Sequence, residues 1–256
     1  MPEPRLSFVI PARNEEALIG EVVEAILASV ARAAGVPRDA LWLPDTAFEV
    51  VVSDDGSDDA TPDILARFAA SAGVRAVRCA SGSCAAARNA GAAASAGRVL
   101  CFVDADTVVP PDAAARVLAL HEGEGRCLVL YRLASREPGV RAWLWWSFWG
   151  LARRLPLARA KSMPAFMSCD RAHFERYGPF DEAWMIAEEW RLTAAAYRHH
   201  PERFRYDRTL TARTSSRRME LRPFGYARTF VKWVFVVLFA WARTDAYDGV
   251  RHAAGD

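Results

Sequence analysis

Lysine is almost missing from this chain: of its 33 basic residues only Lys161 and Lys232 are lysines. Overall charge is nearly balanced at a net +2, which argues against a general nucleic-acid binder, since such binding rests on a surplus of cations. The five cysteines, at 79, 84, 101, 127 and 169, are odd in number, and no two are spaced Cys-x-x-Cys. A disulfide framework and a cysteine zinc site are therefore not expected, and the thiols read as reduced ones in a cytosolic compartment. No leader of the secretory type is expected either: strand-like residues begin at Leu6, and carboxylates follow at Glu15 and Glu16. The apolar run 230–242 is interrupted by Lys232 and falls short of the roughly 20 residues that span a bilayer. Glycine is absent from the stretch Pro11–Glu16, which follows the first strand-like run. A dinucleotide-binding dehydrogenase needs Gly-x-Gly-x-x-Gly there.

What is present is a 256-residue chain with 52% apolar residues, enough for one large domain or a domain with an appendage. Leu6–Ile10, Phe48–Ser53, Val74–Cys79 and Val99–Val103 read as strands. Between them, Leu18, Ile19, Val22, Val23, Ile26, Leu27 and Val30 recur at helical spacing. Thr61-Pro62 opens a second helix, and the Ala-rich stretch from Cys84 to Ala96 makes a third. This alternation predicts a parallel sheet with helical crossovers. The second half reads as a helix from about Pro111 to His121, a strand over Cys127–Leu133, a strand and helix over Ala165–Tyr177, a helix from Glu188 to about His199 and a short strand at Phe204–Tyr206.

If those strands are parallel, their carboxyl ends share one sheet edge, where open α/β sheets bind ligands. The first ends at Pro11-Ala12-Arg13-Asn14, the second at Asp54-Asp55-Gly56-Ser57, and the fourth at Asp104-Ala105-Asp106. Carboxylates there can accept hydrogen bonds from a base or ribose, and the last pair can seat a hard divalent cation on a diphosphate. Arg88 can reach a base or phosphate. An acidic turn with no ligand is the competing reading of each motif taken singly.

Five segments carry a resemblance. Val9–Glu16, Val52–Asp59, Ala87-Arg88-Asn89-Ala90-Gly91, Val103–Asp106, and Tyr177–Glu182 with Ala187–Leu192 stand in the order, and at roughly the spacing, of family 2 glycosyltransferases. The chain resembles that family over about residues 6 to 200. The resemblance implies an α/β GT-A fold, a mostly parallel central sheet flanked by helices, and inverting transfer from a nucleotide sugar (UDP-, GDP- or dTDP-linked) with Mg²⁺ or Mn²⁺. It also implies that Pro11, Ala12, Arg13, Glu15, Asp54, Asp55, Arg88, Asp104 and Ala105 line the nucleotide-sugar site. Asp106, with Asp104, would hold the metal. Glu189 stands where the family usually has an aspartate base. Glu188 is the other candidate, and the choice between them stays open. The competing enzyme reading is a sugar-phosphate nucleotidylyltransferase, which would carry a Gly-rich loop after the first strand. A non-catalytic nucleotide-binding relative is the third reading.

The domain reading is a GT-A domain over 1–207, divided into a nucleotide half (1–110) and an acceptor half (111–207), followed by a basic and apolar helical extension over 208–256. From Arg198 to Arg243 there are eleven Arg or Lys against three acids. Four of the nine tryptophans lie in residues 143–149, just before Arg153-Arg154. That run reads either as core beside the acceptor pocket or as an interfacial element meeting lipid phosphates. The run 230–242 reads as a core helix, a homodimer contact or an in-plane membrane helix. With the basic segment 208–222, these features lean toward a cytoplasmic protein in peripheral contact with the inner membrane face, and toward a sugar or lipid-linked acceptor. The histidines at 121, 173, 199, 200 and 252 show no metal-ligand spacing and read as structural, and Asp181 reads as a turn residue.

Overall fold

The computed structural model describes residues 4–137, 139–155, 160, 161, 165–184, 187–217 and 231. The basic residues from Arg218 onward and all of the run 230–242 except Val231 lie outside the described residues.

The uninterrupted apolar runs become strands buried along their whole length: β1 (Leu6–Ala12), β2 (Phe48–Asp55) and β4 (Val99–Val103). β1 pairs in parallel with both β2 and β4, and β2 pairs in parallel with the edge strand β3 (Arg75–Cys79). Helix α1 (Ile19–Ala34) buries Ile19, Val22, Val23, Ile26, Leu27 and Val30, the positions its periodicity selects. Helices α2 (Thr61–Ala72) and α3 (Cys84–Ala94) complete this half. The residue at 91 must be glycine: a Cβ there would lie 2.4 Å from Ser53 Oγ and 2.6 Å from Val9 Cγ1. That close approach seats α3 against β1 and β2 and brings Arg88, one turn earlier, to the sheet edge.

The second half comprises β5 (Thr107–Val108), α4 (Ala113–Leu118) with a π-helical turn over Ala119–Gly123, β6 (Leu128–Ser135), α5 (Val140–Ala152), β7 (Phe166–Asp170), α6 (Arg171–Tyr177), α7 (Trp190–His199) and β8 (Phe204–Thr214). The eight-stranded sheet has the order β3-β2-β1-β4-β7-β6-β8-β5. β7 runs antiparallel to both β4 and β6, β8 parallel to β6, and β5 antiparallel to β8. The sheet is thus mixed: β1 to β4 are parallel to one another, and β6 and β8 make a second parallel pair beyond the antiparallel β7.

The final strand is longer than the three residues expected, running on to Thr214. Asp207, Leu210, Ala212 and Thr214 turn inward while Arg208 and Arg213 face solvent. A strand in the sheet therefore carries the first part of what reads as a basic tail. In α5 the aromatic run has one buried and one exposed face. Trp149 and Ala152 pack with Ala160, flanked by Trp145 and Trp190. Val140, Trp143, Leu144, Phe148 and Leu151 are exposed.

Candidate functional site

The register places the residues after β1 beside those after β2, with Pro11 opposite Ser53 and Ala12 opposite Asp54. Pro11 and Ala12 are buried strand residues, and Arg13 is exposed just beyond them. Asn14 adopts φ 52°, a left-handed conformation that asparagine tolerates. Its backbone N donates to Ser57 Oγ (2.9 Å), and its Oδ1 accepts from Asp58 N (3.0 Å), stitching the two loops together. Asp54 Oδ1 accepts from Ser57 N at 3.0 Å and shapes the turn. Asp55 Oδ1 accepts from Ser81 N, Ser81 Oγ and Gly82 N at 2.6, 2.9 and 3.1 Å, and its Oδ2 lies 3.7 Å from Arg13 Nη1. Asp55 thus ties the rim of β2 to the loop before α3, with one oxygen turned toward the exposed arginine. Glu15 is buried, its backbone N bonded to Thr61 Oγ1 (2.9 Å) and its carboxylate 2.6 Å from Arg217.

Arg88 is the hub. It is buried, and its Nη1 lies 2.5 Å from Glu188 Oε1 while its Nη2 lies 2.5 Å from Asp104 Oδ1. Burial works against its charge, yet Cys84, Asp104 and Glu188 hold its pKa well above the ordinary arginine value. Burial pushes the Glu188 carboxyl up from its usual value, against the pull of Arg88. The neighbouring Asn89 makes a reciprocal pair: its Nδ2 donates to Phe180 O (3.0 Å), and Phe180 N donates to its Oδ1 (2.9 Å). Together these two residues of α3 hold Phe180 and Glu188 against the edge of the parallel strands. Asp181 accepts from Ala183 N at 3.1 Å and so makes a turn, as its setting in the sequence suggests.

Ala105 is buried between two half-buried carboxylates, Asp104 and Asp106. Asp106 Oδ1 accepts from Thr214 Oγ1 at 3.1 Å, and its carbonyl accepts from Ser215 N at 3.2 Å. Among the described residues no group of three or more His, Cys, Asp or Glu is gathered that could hold a metal by itself. The donor set is nevertheless of the right kind: hard oxygens on one turn, partly open, to which a diphosphate can add its own.

Glu189 is fully enclosed, at the start of α7. Ala187, two residues earlier, has φ 64°, a conformation that costs an alanine about 1–2 kcal/mol. Glu189 lies within the electrostatic reach of Arg153, whose guanidinium is buried beyond the end of α5. Burial lowers the Arg153 pKa to about 10, and Tyr206 and Glu189 oppose the shift. The sequence reading sets Arg153 with Arg154 toward lipid phosphates, but the structure buries Arg153, and its approach to residue 189 exists only in the fold. The partners of Asn89, itself inside one of the resembling segments, and of Thr214 likewise appear only in the fold.

A second constellation has the geometry of a hydrolase relay but no access to substrate. His121 Nδ1 lies 3.0 Å from Asp170 Oδ1 and His121 Nε2 lies 2.7 Å from Ser168 Oγ, itself 2.7 Å from Tyr131 Oη. Ser168 and Tyr131 are 0% exposed, so the trio is a satisfied polar network in the core.

The family model for glycosyl transferase family 2 matches residues 7–177. A validoxylamine A glucosyltransferase from Streptomyces hygroscopicus subsp. limoneus is 35% identical over 127 residues, which are 47% of this chain and 24% of that protein. This chain therefore spans about a quarter of the length of that curated relative. Among solved structures, the mannosyltransferase PcManGT from Pyrobaculum calidifontis, in complex with GDP-Man and Mn²⁺, superposes with TM-score 0.61 at 20% identity, over 91% of this chain and 65% of that one. Glucosyl-3-phosphoglycerate synthase from Mycobacterium tuberculosis gives TM-score 0.60 at 19% identity, over 91% and 80%. These likenesses bear out the GT-A architecture. With its acidic strand ends on one edge of that sheet, and a family match across more than half of its residues, the chain belongs to glycosyl transferase family 2.

Proposed function

We propose that the protein transfers a sugar from a nucleoside-diphosphate sugar to an acceptor hydroxyl, with inversion at the anomeric carbon. The observation that carries this reading is the Arg88 bridge. It links the Asp104-Ala105-Asp106 turn, at the donor side, to the acidic pair that opens α7.

Pro11, Ala12, Arg13, Asp54 and Asp55 form the rim for base and ribose, with Glu15 bracing it through Arg217. Asp106 and Asp104 would hold a Mg²⁺ or Mn²⁺ ion. When bound, that ion neutralises charge on the departing nucleoside diphosphate. The PcManGT structure with GDP-Man and Mn²⁺ supports a divalent cation in this role. Glu189, at the position that the resemblance gives to the base, takes the proton from the acceptor hydroxyl. The hydroxyl oxygen bonds to the anomeric carbon from the face opposite the diphosphate, whose bond to that carbon breaks. Glu188 braces Arg88. Glu189 is enclosed here, so the acceptor meets it only once the start of α7 opens.

The test is release of free nucleoside diphosphate from a panel of UDP-, GDP- and dTDP-sugars. Release is expected from at least one donor, with Glu189→Gln lowering the rate by about 10²-fold or more and Glu188→Gln by clearly less. Exchange of pyrophosphate into the donor, without release of diphosphate, would favour a nucleotidylyltransferase. Binding without either would favour a non-catalytic relative.

A second reading concerns location, and the exposed apolar face of α5 favours it. We infer peripheral attachment to an anionic bilayer through that face, flanked by Arg141 and Arg154. No helix among the described residues is long and apolar enough to cross a membrane.

A further inference from the structure

A groove of about 450 Å³ runs between α6 and α7, with Glu188 at one point of its lining. Its walls combine two kinds of side chain. Three exposed arginines converge on it, Arg176 from α6 and Arg191 and Arg198 from α7. The latter two are seven residues apart, so they project from one face of the helix. No carboxylate lies within ion-pair distance of any of the three among the described residues. Among the described residues two acids line the groove, Asp181 and Glu188. Both have other work: Asp181 caps its own turn, and Glu188 faces Arg88. The groove therefore carries a surplus of unneutralised positive charge, held on a short stretch of two packed helices.

The other walls are aromatic. Tyr177, Trp184 and Trp190 line the same space, with the two indoles 5.9 Å apart at 51°. Trp190 Nε1 is buried and has no hydrogen-bond partner among the described residues. Flat rings beside arginines suit a ligand with an apolar ring face and an anionic substituent.

We propose that this groove binds an anionic sugar, one bearing a phosphate or a carboxylate, as the acceptor of the transfer. Its ring lies against Trp184 and Trp190, and its anion meets Arg191 and Arg198. Ala187 and Glu188 of the groove's lining precede Glu189 in the chain, and Glu188 reaches the Asp104 turn through Arg88. An acceptor seated there has its free hydroxyls directed toward the transfer site. The acceptor role rests on the glycosyltransferase reading above, whereas binding of an acidic sugar to the groove does not.

The experiment titrates the full chain with glucose 6-phosphate, glucuronate, glucose and inorganic phosphate, following tryptophan fluorescence. Nucleoside diphosphate binding is measured calorimetrically in the same samples. At least one of the two acidic sugars is expected to bind about tenfold or more tightly than glucose, and the two arms tell phosphate from carboxylate. The double variant Arg191→Ala/Arg198→Ala, both at exposed positions, should lose that preference while nucleoside diphosphate affinity stays unchanged. Equal affinity for acidic and neutral sugars, or an undiminished preference in the double variant, overturns the proposal. Inorganic phosphate binding as tightly as glucose 6-phosphate overturns the sugar assignment. Failure of the wild type to bind any nucleoside diphosphate, with acidic-sugar binding intact, would instead defeat the transferase reading and leave the groove standing.

Discussion

Arg88 and Glu188 meet at 2.5 Å although a hundred residues separate them in the chain. Both are buried, so the pair lies where an unpaired charge is expensive. Replacing Arg88 by Met should destabilise the fold by about 3–5 kcal/mol, because it strands Glu188 and frees Asp104. Adding Glu188→Gln to Arg88→Met should recover part of that loss. Urea unfolding of the single and double variants measures both quantities, and a double variant no more stable than Arg88→Met would contradict the account.

Asp106 and Asp55 should fail in different ways. Asp106→Asn removes half of the acidic turn and should weaken Mn²⁺-supported nucleotide-sugar binding by about tenfold or more, with little effect on binding measured in chelator. Asp55→Ala leaves Ser81 N and Gly82 N without their acceptor. It should cost about 1–3 kcal/mol of stability and weaken nucleotide binding with or without metal. Calorimetric titration of UDP and GDP with and without Mn²⁺ separates the two patterns.

His173 sits at the joint of α6 and α7, its Nε2 3.0 Å from Leu192 O. Burial holds its pKa below the usual histidine value, with the Leu192 carbonyl opposing the shift. The unfolded chain therefore takes up this proton at a higher pH than the folded one. Stability from neutral His173 is full above about pH 6.5 and falls as the pH drops from there toward the folded pKa, by at most about 1.4 kcal/mol per pH unit. His173→Gln should flatten this part of the profile. Denaturant midpoints at pH 7 and pH 5.5 for both proteins test it; equal slopes for both would refute it.

The outer face of α5 should respond to charge. Val140, Trp143 and Leu151 are 74%, 65% and 59% exposed. Flotation with anionic vesicles at low salt should carry the wild type, and Trp143→Glu with Leu151→Glu should reduce the bound fraction by about tenfold. A wild type that stays with the soluble fraction would remove the membrane reading.

How much of this was legible before folding differs from residue to residue. β1, β2 and β4 could be read directly, because strands buried on both faces leave unbroken apolar runs. The rim followed from them, since parallel strands bring Arg13, Asp55 and Asp106 to one edge. β8 was harder. Its arginines drew the eye to charge, while the inward positions Asp207, Leu210, Ala212 and Thr214 form an alternation only partly apolar. The partners of Glu188 and Glu189 could not be read at all: Arg88 and Arg153 reach them through packing between distant elements. The α5 run remained ambiguous because a helix apolar on every side gives periodicity nothing to select.

The smallest strand has a consequence out of proportion to its length. Thr107 and Val108 pair with Thr214 and Arg213, and Thr214 also donates to Asp106. The acidic turn is therefore fastened on its far side by a late stretch of backbone, and Arg217 carries that fastening on to Glu15, near the beginning. A chain cut before residue 213 would keep every early motif intact and still leave the Asp104–Asp106 turn unfastened on one side.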